Sequence, residues 1–400
     1  MTRSHPEQAL PEKKRILIFC SFFRPSTKSG GGMWSVVNLV DRFSDTYEFV
    51  VVTRNHESPN DFVPFASVKS DSWNKSGGVR VYYVSPRKIS VNAVASLVDE
   101  VRPDGVFLNS VFSSLCVKYL LGRRRGLVIQ TPVILAPCGE LAASALRSKG
   151  WKKLPFLFLA RWFGLYERVV WKASSEIESE EIRGVIGRSI DSMVAPDLPP
   201  RQILPEYSID RKPVKEPGSV KLVFLSRILP VKNLAYLLDQ LMFITEGTVD
   251  LTIVGPHEDA RYWDVCKRMI EVLPPNISVN VVGGVPYEEG LKLLTENHLF
   301  ILPTLGENFG YVILEALAAG CSVIVSDRTI WGQVEERGAG AVLSLSSPEM
   351  WVNALNEVIS MNQEEFGKVS RDARKFAVDW LSDSSIESAT AKILEHAFGR

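Results

Sequence analysis

Nothing in this sequence offers disulfide or structural-zinc chemistry. Its five cysteines (Cys20, Cys116, Cys138, Cys266 and Cys321) are odd in number and scattered, and none forms a C-x-x-C pair. That usage predicts a reducing compartment. Long apolar runs are missing as well, since none approaches the ~18 residues of a membrane span. Residues 16–23 (ILIFCSFF) follow Lys13-Lys14-Arg15 as a signal peptide would. The run is only about eight residues long, however, and no small-residue cleavage site follows it. A buried first strand accounts for it better, and the expectation is a cytoplasmic protein without a nucleic-acid partner. Net charge is also lacking, at +0 for the whole chain.

That neutral total hides an imbalance. Residues 1–200 hold about 27 basic and 19 acidic side chains, and the remainder holds the reverse. An anionic partner for the first half would explain this; so would two domains of different isoelectric point. Four hundred residues predict about two or three domains.

The patterning divides the chain in two. Residues 16–23 close on Pro25 and on Gly30-Gly31-Gly32, and Trp34, Val37, Val40 and Phe43 follow at helical spacing. Residues 49–52, 79–84, 106–109 and 127–136 read as further strands. This is the opening of a doubly wound α/β domain. Pro196, Pro199, Pro200, Pro205, Pro213 and Pro217 then crowd a segment with little periodicity, which reads as a linker. A second α/β pattern starts afresh, with strands at 222–225, 251–254, 278–282, 299–302 and 322–326. The expected division is 1–197, a linker at 198–219, 220–383, and a final helical stretch at 384–400. Two such domains imply a cleft, with ligands beyond the carboxyl ends of the strands.

The densest chemistry runs from Phe300 to Asp327 (FILPTLGENFGYVILEALAAGCSVIVSD). A strand should end at Pro303, a loop carry Gly306, Glu307, Asn308, Phe309 and Gly310, and a helix start at Tyr311. Free backbone N–H groups at such a helix start suit a diphosphate. Glu307 and Glu315, eight apart, suit a ligand with a diol at each end, although spacing alone fits a capping glutamate beside a surface one equally well. Arg227 and Lys232, in SRILPVKN, form a second constellation at a strand's carboxyl end, where two cations can neutralise a diphosphate. Gly30, Gly31 and Gly32 allow close approach of backbone amides to a phosphate, or mark a flexible loop.

These segments together resemble glycosyltransferase family 4. GENFGYVILEALAAG is similar to the family's E-x7-E signature, and SRILPVKN to its G-R-x4-K element, with Ser226 where the family often has Gly. The resemblance extends through almost the whole second domain. It implies a GT-B fold, two Rossmann-like doubly wound domains facing each other across a cleft. It also implies retaining transfer, independent of metal, from a nucleotide-sugar co-substrate (UDP- or GDP-sugar) to a glycan or lipid-linked acceptor, in polysaccharide biosynthesis and with no other cofactor. Glu307 would contact the transferred sugar, Glu315 the ribose, and Arg227 with Lys232 the diphosphate. Gly30, Gly31, Gly32, Asn308, Phe309, Gly310 and Tyr311 would complete the donor site, and the last helix would cross back to the first domain.

Three features depart from that pattern or add to it. Capsule and exopolysaccharide relatives often show P-R-G-E-L where this chain has Pro137-Cys138-Gly139-Glu140-Leu141. No first-domain histidine stands where many members have one; His56, His257 and His298 lie elsewhere. Residues 147–172 combine Lys and Arg with Trp, Phe and Leu, which suits either a peripheral contact with the inner membrane face or a helix packed by its aromatic side. Pro155 argues against one continuous helix there. The competing readings are a glycoside hydrolase using the two glutamates, a nucleotide-sugar epimerase on the same fold, and a non-catalytic nucleotide-sugar binder.

Overall fold

The computed structural model describes residues 13–26, 30–58, 61–147, 150–201, 203 and 212–399. Lys149, and residues 202 and 204–211 of the expected linker, lie outside the described residues.

Ten strands fall in the first half. They are β1 (Arg15–Cys20), β2 (Glu48–Arg54), β3 (His56–Ser58), β4 (Asp61–Pro64), β5 (Trp73–Ser76), β6 (Val79–Val84), β7 (Gly105–Asn109), β8 (Val133–Ala136), β9 (Val169–Ala173) and β10 (Asp191–Val194). Eight of them form one sheet in the order β10-β9-β8-β7-β1-β2-β6-β5. All its pairings are parallel except β5 with β6, and β3 and β4 pair apart as an antiparallel hairpin. The second half adds β11 (Ser219–Leu225), β12 (Thr248–Val254), β13 (Ile277–Gly283), β14 (Leu299–Leu302), β15 (Ser322–Ser326) and β16 (Gly340–Leu343). These make a parallel sheet in the order β13-β12-β11-β14-β15-β16. Central strands such as β1, β7 and β14 are chiefly apolar and, but for Arg15, buried on both faces, as parallel sheets covered by helices require.

Some local readings needed correcting. Residues 127–136 are not one strand: only Val133–Ala136 pairs, while Leu127 and Ile129 are exposed. Pro132 interrupts the run, and an apolar stretch can only be told from a strand by its partners. Residues 147–172 are not one continuous helix: a helix covers Gly150–Trp162 and β9 begins at Val169. The break does not fall at Pro155, however, which sits inside the helix and forgoes one i→i−4 hydrogen bond without ending it. The hairpin β3–β4 and the edge strand β5 carried too few apolar residues to be read in advance.

The last helix, Ser384–Phe398, packs against the first domain rather than the second. Ile386, Ile393, Leu394 and Phe398 join the core formed by β1, the helix Gly31–Phe43 and their neighbours. Polar contacts fix it: Arg42 pairs with Glu387 at 2.8 Å, and Lys14 Nζ donates to the Phe398 carbonyl at 2.8 Å. Gly105 at the start of β7 makes room for the Phe398 ring, whose atoms occupy the space a Cβ would need. Phe398→Ala should therefore cost about 3 kcal/mol in the first-domain unfolding transition. Denaturant unfolding followed by first-domain fluorescence, with a second-domain ligand as reference, would measure it.

Candidate functional site

Strand order locates the site. In the second sheet β11 lies between β12 and β14, so the chain winds one way from β11 to β13 and the other way from β14 to β16. Loops leaving β11 and β14 diverge at that switch point and open a crevice. The loop after β11 carries Ser226 and Arg227, and the turn Pro230–Lys232 returns Lys232 to the crevice. The loop after β14 carries Thr304 to Gly310. Both loops are tied together: Leu305 N donates to the Val231 carbonyl at 2.8 Å, and Thr304 Oγ1 to the same oxygen at 3.0 Å.

Lys232 Nζ bonds the Glu307 carboxylate directly, with the two side chains only 12% and 15% exposed. Arg227 is more open and lies 3.4 Å from Glu258. The helix Tyr311–Ala318 begins at Gly310, whose φ of +80° is a left-handed conformation. A Cβ there would come within 2.9 Å of both Glu307 Cγ and Ile313 Cδ1, so only glycine fits. No acidic residue occupies the helix's first turn. Trp331 Nε1 donates to the Phe309 carbonyl at 2.6 Å and holds the loop in place.

Glu315, one turn into that helix, is 8% exposed, and no cation pairs with it among the described residues. Burial pushes its carboxyl up to about 7, only partly offset by a hydrogen bond from the Tyr287 hydroxyl. Tyr287 follows β13 and packs against Trp34 of the first domain, ring centroids 5.1 Å apart. Neither aromatic residue stood out in the sequence, because nothing local to either marks a contact formed across the cleft.

The first domain closes the other wall. Gly30 caps the helix Gly31–Phe43, and Gly31 and Gly32 form its first turn rather than a free loop. A Cβ on Gly31 would sit 3.3 Å from the Tyr311 ring, and one on Gly30 would lie 3.7 Å from Arg227 Nε. All the residues expected to form a donor site therefore line one cleft of about 660 Å³ between the sheets: Gly30, Gly31, Gly32, Arg227, Lys232, Glu307, Asn308, Phe309, Gly310, Tyr311 and Glu315.

Sequence reasoning missed Asp197, which also lines this cleft, and the two carboxylates that build its first-domain floor. Glu140 accepts from Ser110 Oγ and from the backbone N–H groups of Val111 and Phe112. Glu178 accepts from Ser174 N, Ser174 Oγ and Gly139 N. Burial pushes both carboxyls up. Cys138, in the cleft with φ +53°, lies 3.0 Å from Asn109 Oδ1. Burial and neighbouring carboxylates push its thiol well up, so it is no nucleophile at neutral pH. None of His56, His257 and His298 lines the cleft. His298 Nδ1 accepts from Lys221 N and its Nε2 bonds the Pro213 carbonyl, while His257 stacks on Trp263.

With this geometry in hand, the comparisons are informative. Residues 207–376 match the family model of glycosyl transferases group 1. The group 1 match therefore contains Arg227, Lys232, Glu307 and Glu315. No curated protein matches the chain by sequence. Among solved structures, sucrose-phosphate synthase from Thermosynechococcus elongatus superposes with a TM-score of 0.73 at 15% identity, covering 96% of this chain and 99% of that one. HepE from Anabaena, in complex with UDP and glucose, gives 0.70 at 16% identity, covering 96% and 100%. WaaG, a glycosyltransferase involved in lipopolysaccharide biosynthesis, gives 0.63 at 12% identity, covering 96% and 100%. The fold is GT-B, and the group 1 match falls within its second half.

Glu315 also sets a pH test. A carboxyl held up to about 7 keeps its proton in the empty cleft below that pH. Hydrogen bonds donated by a ligand diol favour the carboxylate and lower its pKa. Any ligand that donates such bonds to Glu315 should then release protons on binding at pH 6.5, and its affinity should fall as pH drops below 7. UDP-glucose suits the measurement because its diphosphate does not titrate near neutrality. Calorimetry in buffers of different ionisation enthalpy should find the release in the wild type and none in Glu315→Gln.

Proposed function

We propose that this chain is a retaining glycosyltransferase of the family 4 kind, moving a sugar from a UDP- or GDP-sugar onto a glycan or lipid-linked acceptor in polysaccharide biosynthesis. One observation carries the reading: two cations and two carboxylates, spaced as in the family 4 segments that this chain resembles, converge on one cleft between the sheets. The division of labour follows from their environments. Arg227, Lys232 and the N–H groups at the Tyr311–Ala318 helix start stabilise charge on the departing diphosphate, without metal. Glu307, freed when the diphosphate draws Lys232 away, orients the sugar, and Glu315 holds the ribose diol. Asn308, Phe309, Gly310 and Tyr311 contribute backbone amides, and Gly30 to Gly32 admit the phosphate closely. The donor phosphate assists acceptor deprotonation on the same face, which accounts for retention. Closure of the domains excludes water, whose attack on the donor is the competing reaction. On this reading residues 1–197 are the acceptor side, 220–383 the donor side, and 384–400 the return to the first domain.

The acceptor side also has a surface fitted to a membrane interface. Trp151 and Trp162 are each 76% exposed on the helix Gly150–Trp162, together with Leu154, Phe158 and Leu159. Lys152 lies over the Trp151 ring and Arg161 sits on the same helix. Aromatic side chains interleaved with cations favour an anionic interface. This is a peripheral contact: no helix among the described residues is long and apolar enough to cross a membrane.

Two experiments test these readings. Purified protein should be stabilised against heat, without added metal, by one of UDP, GDP or their sugars. Arg227→Ala and Glu315→Ala should each weaken that binding ~10-fold or more, about 1.4 kcal/mol. No response to any nucleotide would leave the transferase reading without support and favour a protein of another function; binding without transfer to any acceptor would favour the non-catalytic one. Separately, the chain should float with phosphatidylglycerol vesicles and not with phosphatidylcholine ones. Trp151→Glu with Trp162→Glu should abolish flotation while leaving nucleotide binding intact.

A further inference from the structure

Asn308 stands between Glu307 and the Gly310 helix start, yet its side chain turns away from the second domain. Its Nδ2 donates to Asp197 Oδ2 at 3.2 Å. Its Oδ1 lies 2.8 Å from Ser174 Oγ, which is 2.7 Å from Glu178 Oε2 and shares its one hydrogen between them. Asp197 is buried, and its other oxygen accepts from Lys172 Nζ of β9 at 2.8 Å. The next residue joins the same knot: the Leu198 carbonyl accepts from Tyr311 OH at 2.9 Å and from Asn38 Nδ2 at 2.7 Å.

These groups do more than fill a seam. A buried ion pair adds little net stability over apolar residues of similar size. What Lys172 and Asp197 do provide is direction: the lysine fixes one carboxylate oxygen and leaves the other aimed at the loop that carries Glu307. Gly139, whose missing Cβ would sit 3.2 Å from Asn308 Cβ, lets the loop come that close. The grip exists only when the two domains are together.

We propose that Asp197, oriented by Lys172 and holding Asn308, is a positioning residue that sets the Glu307–Gly310 loop for the transferred sugar and makes that setting depend on domain closure. The inference rests on the transferase reading of the cleft. It concerns the sugar end of the donor, not the nucleotide end, which belongs to Arg227 and Glu315.

The test uses two variants of the full chain. Asp197→Ala removes the acceptors of Lys172 and Asn308 together. Lys172→Met combined with Asp197→Leu removes the pair without leaving a buried unpaired charge, so it preserves the fold if the single variant does not. Melting curves check folding. Calorimetry then compares UDP with UDP-glucose and GDP with GDP-mannose, taking whichever pair binds the wild type. Nucleotide affinity should stay within about twofold, while affinity for the nucleotide sugar relative to the nucleotide falls by about 5- to 10-fold. Release of nucleotide from the donor should slow by about 10- to 100-fold, the scale of a misplaced catalytic contact. A parallel loss of nucleotide and nucleotide-sugar affinity would overturn the proposal, because the pair would then be merely structural. So would a folded double variant indistinguishable from the wild type. Wild-type protein that binds neither pair overturns the donor reading itself, and this inference with it.

Discussion

Lys232 and Glu307 hold each other across the crevice between β11 and β14, and the cleft depends on that pair. Neither side chain is exposed enough for water to compensate its charge fully, so each needs a partner in the absence of ligand. The pairing keeps the loop after β14 against the turn after β11, in register with the bonds from Thr304 and Leu305 to Val231. On the proposed reading, a diphosphate entering the cleft would compete for the lysine and release the carboxylate toward the sugar. The pair is in place without any ligand, so the site is ordered before it is filled.

The second domain was legible because its chemistry is written in short segments. Arg227 and Lys232 are five residues apart after one strand, Glu307 and Glu315 eight apart around one helix start, and parallel-sheet topology brings strand ends together without further information. Two doubly wound domains followed from two successive α/β patterns, and their GT-B arrangement from the resemblance. What could not be read was whatever depends on a contact between the halves. Tyr287 meets Glu315 only because the helix it opens, Tyr287–Thr295, packs beside the helix Tyr311–Ala318, and Trp34 meets Tyr287 only once the domains face each other. Asp197 looked like one more polar residue in a proline-rich stretch. Its partners Lys172 and Asn308 lie on separate elements on either side of it, 25 and 111 positions away, and no local pattern links them.

The first domain differs in how it uses acidic residues. Glu140 and Glu178 are buried and bonded chiefly to backbone amides and serine hydroxyls, with no direct ion pair among the described residues. Each satisfies N–H groups that a tight turn at a strand's end would otherwise leave orphaned. This gives Pro137-Cys138-Gly139-Glu140-Leu141 a structural explanation: Glu140 and Gly139 are held by the floor of the cleft, while Cys138 faces into it. Replacement of an arginine by cysteine at that point changes what the cleft offers a ligand without disturbing the turn.

The helix Ser384–Phe398 has a consequence for biosynthesis. Its apolar face belongs to the same core as β1 and the helix Gly31–Phe43, elements made more than three hundred residues earlier. A ribosome delivers the chain from its amino end, and a domain ordinarily folds as it emerges. Here the first sheet can assemble early, but the surface around Gly105 stays open until the helix Ser384–Phe398 arrives to cover it. Through most of translation that half is an incomplete body with an exposed apolar seam, the sort of nascent surface a chaperone would shield.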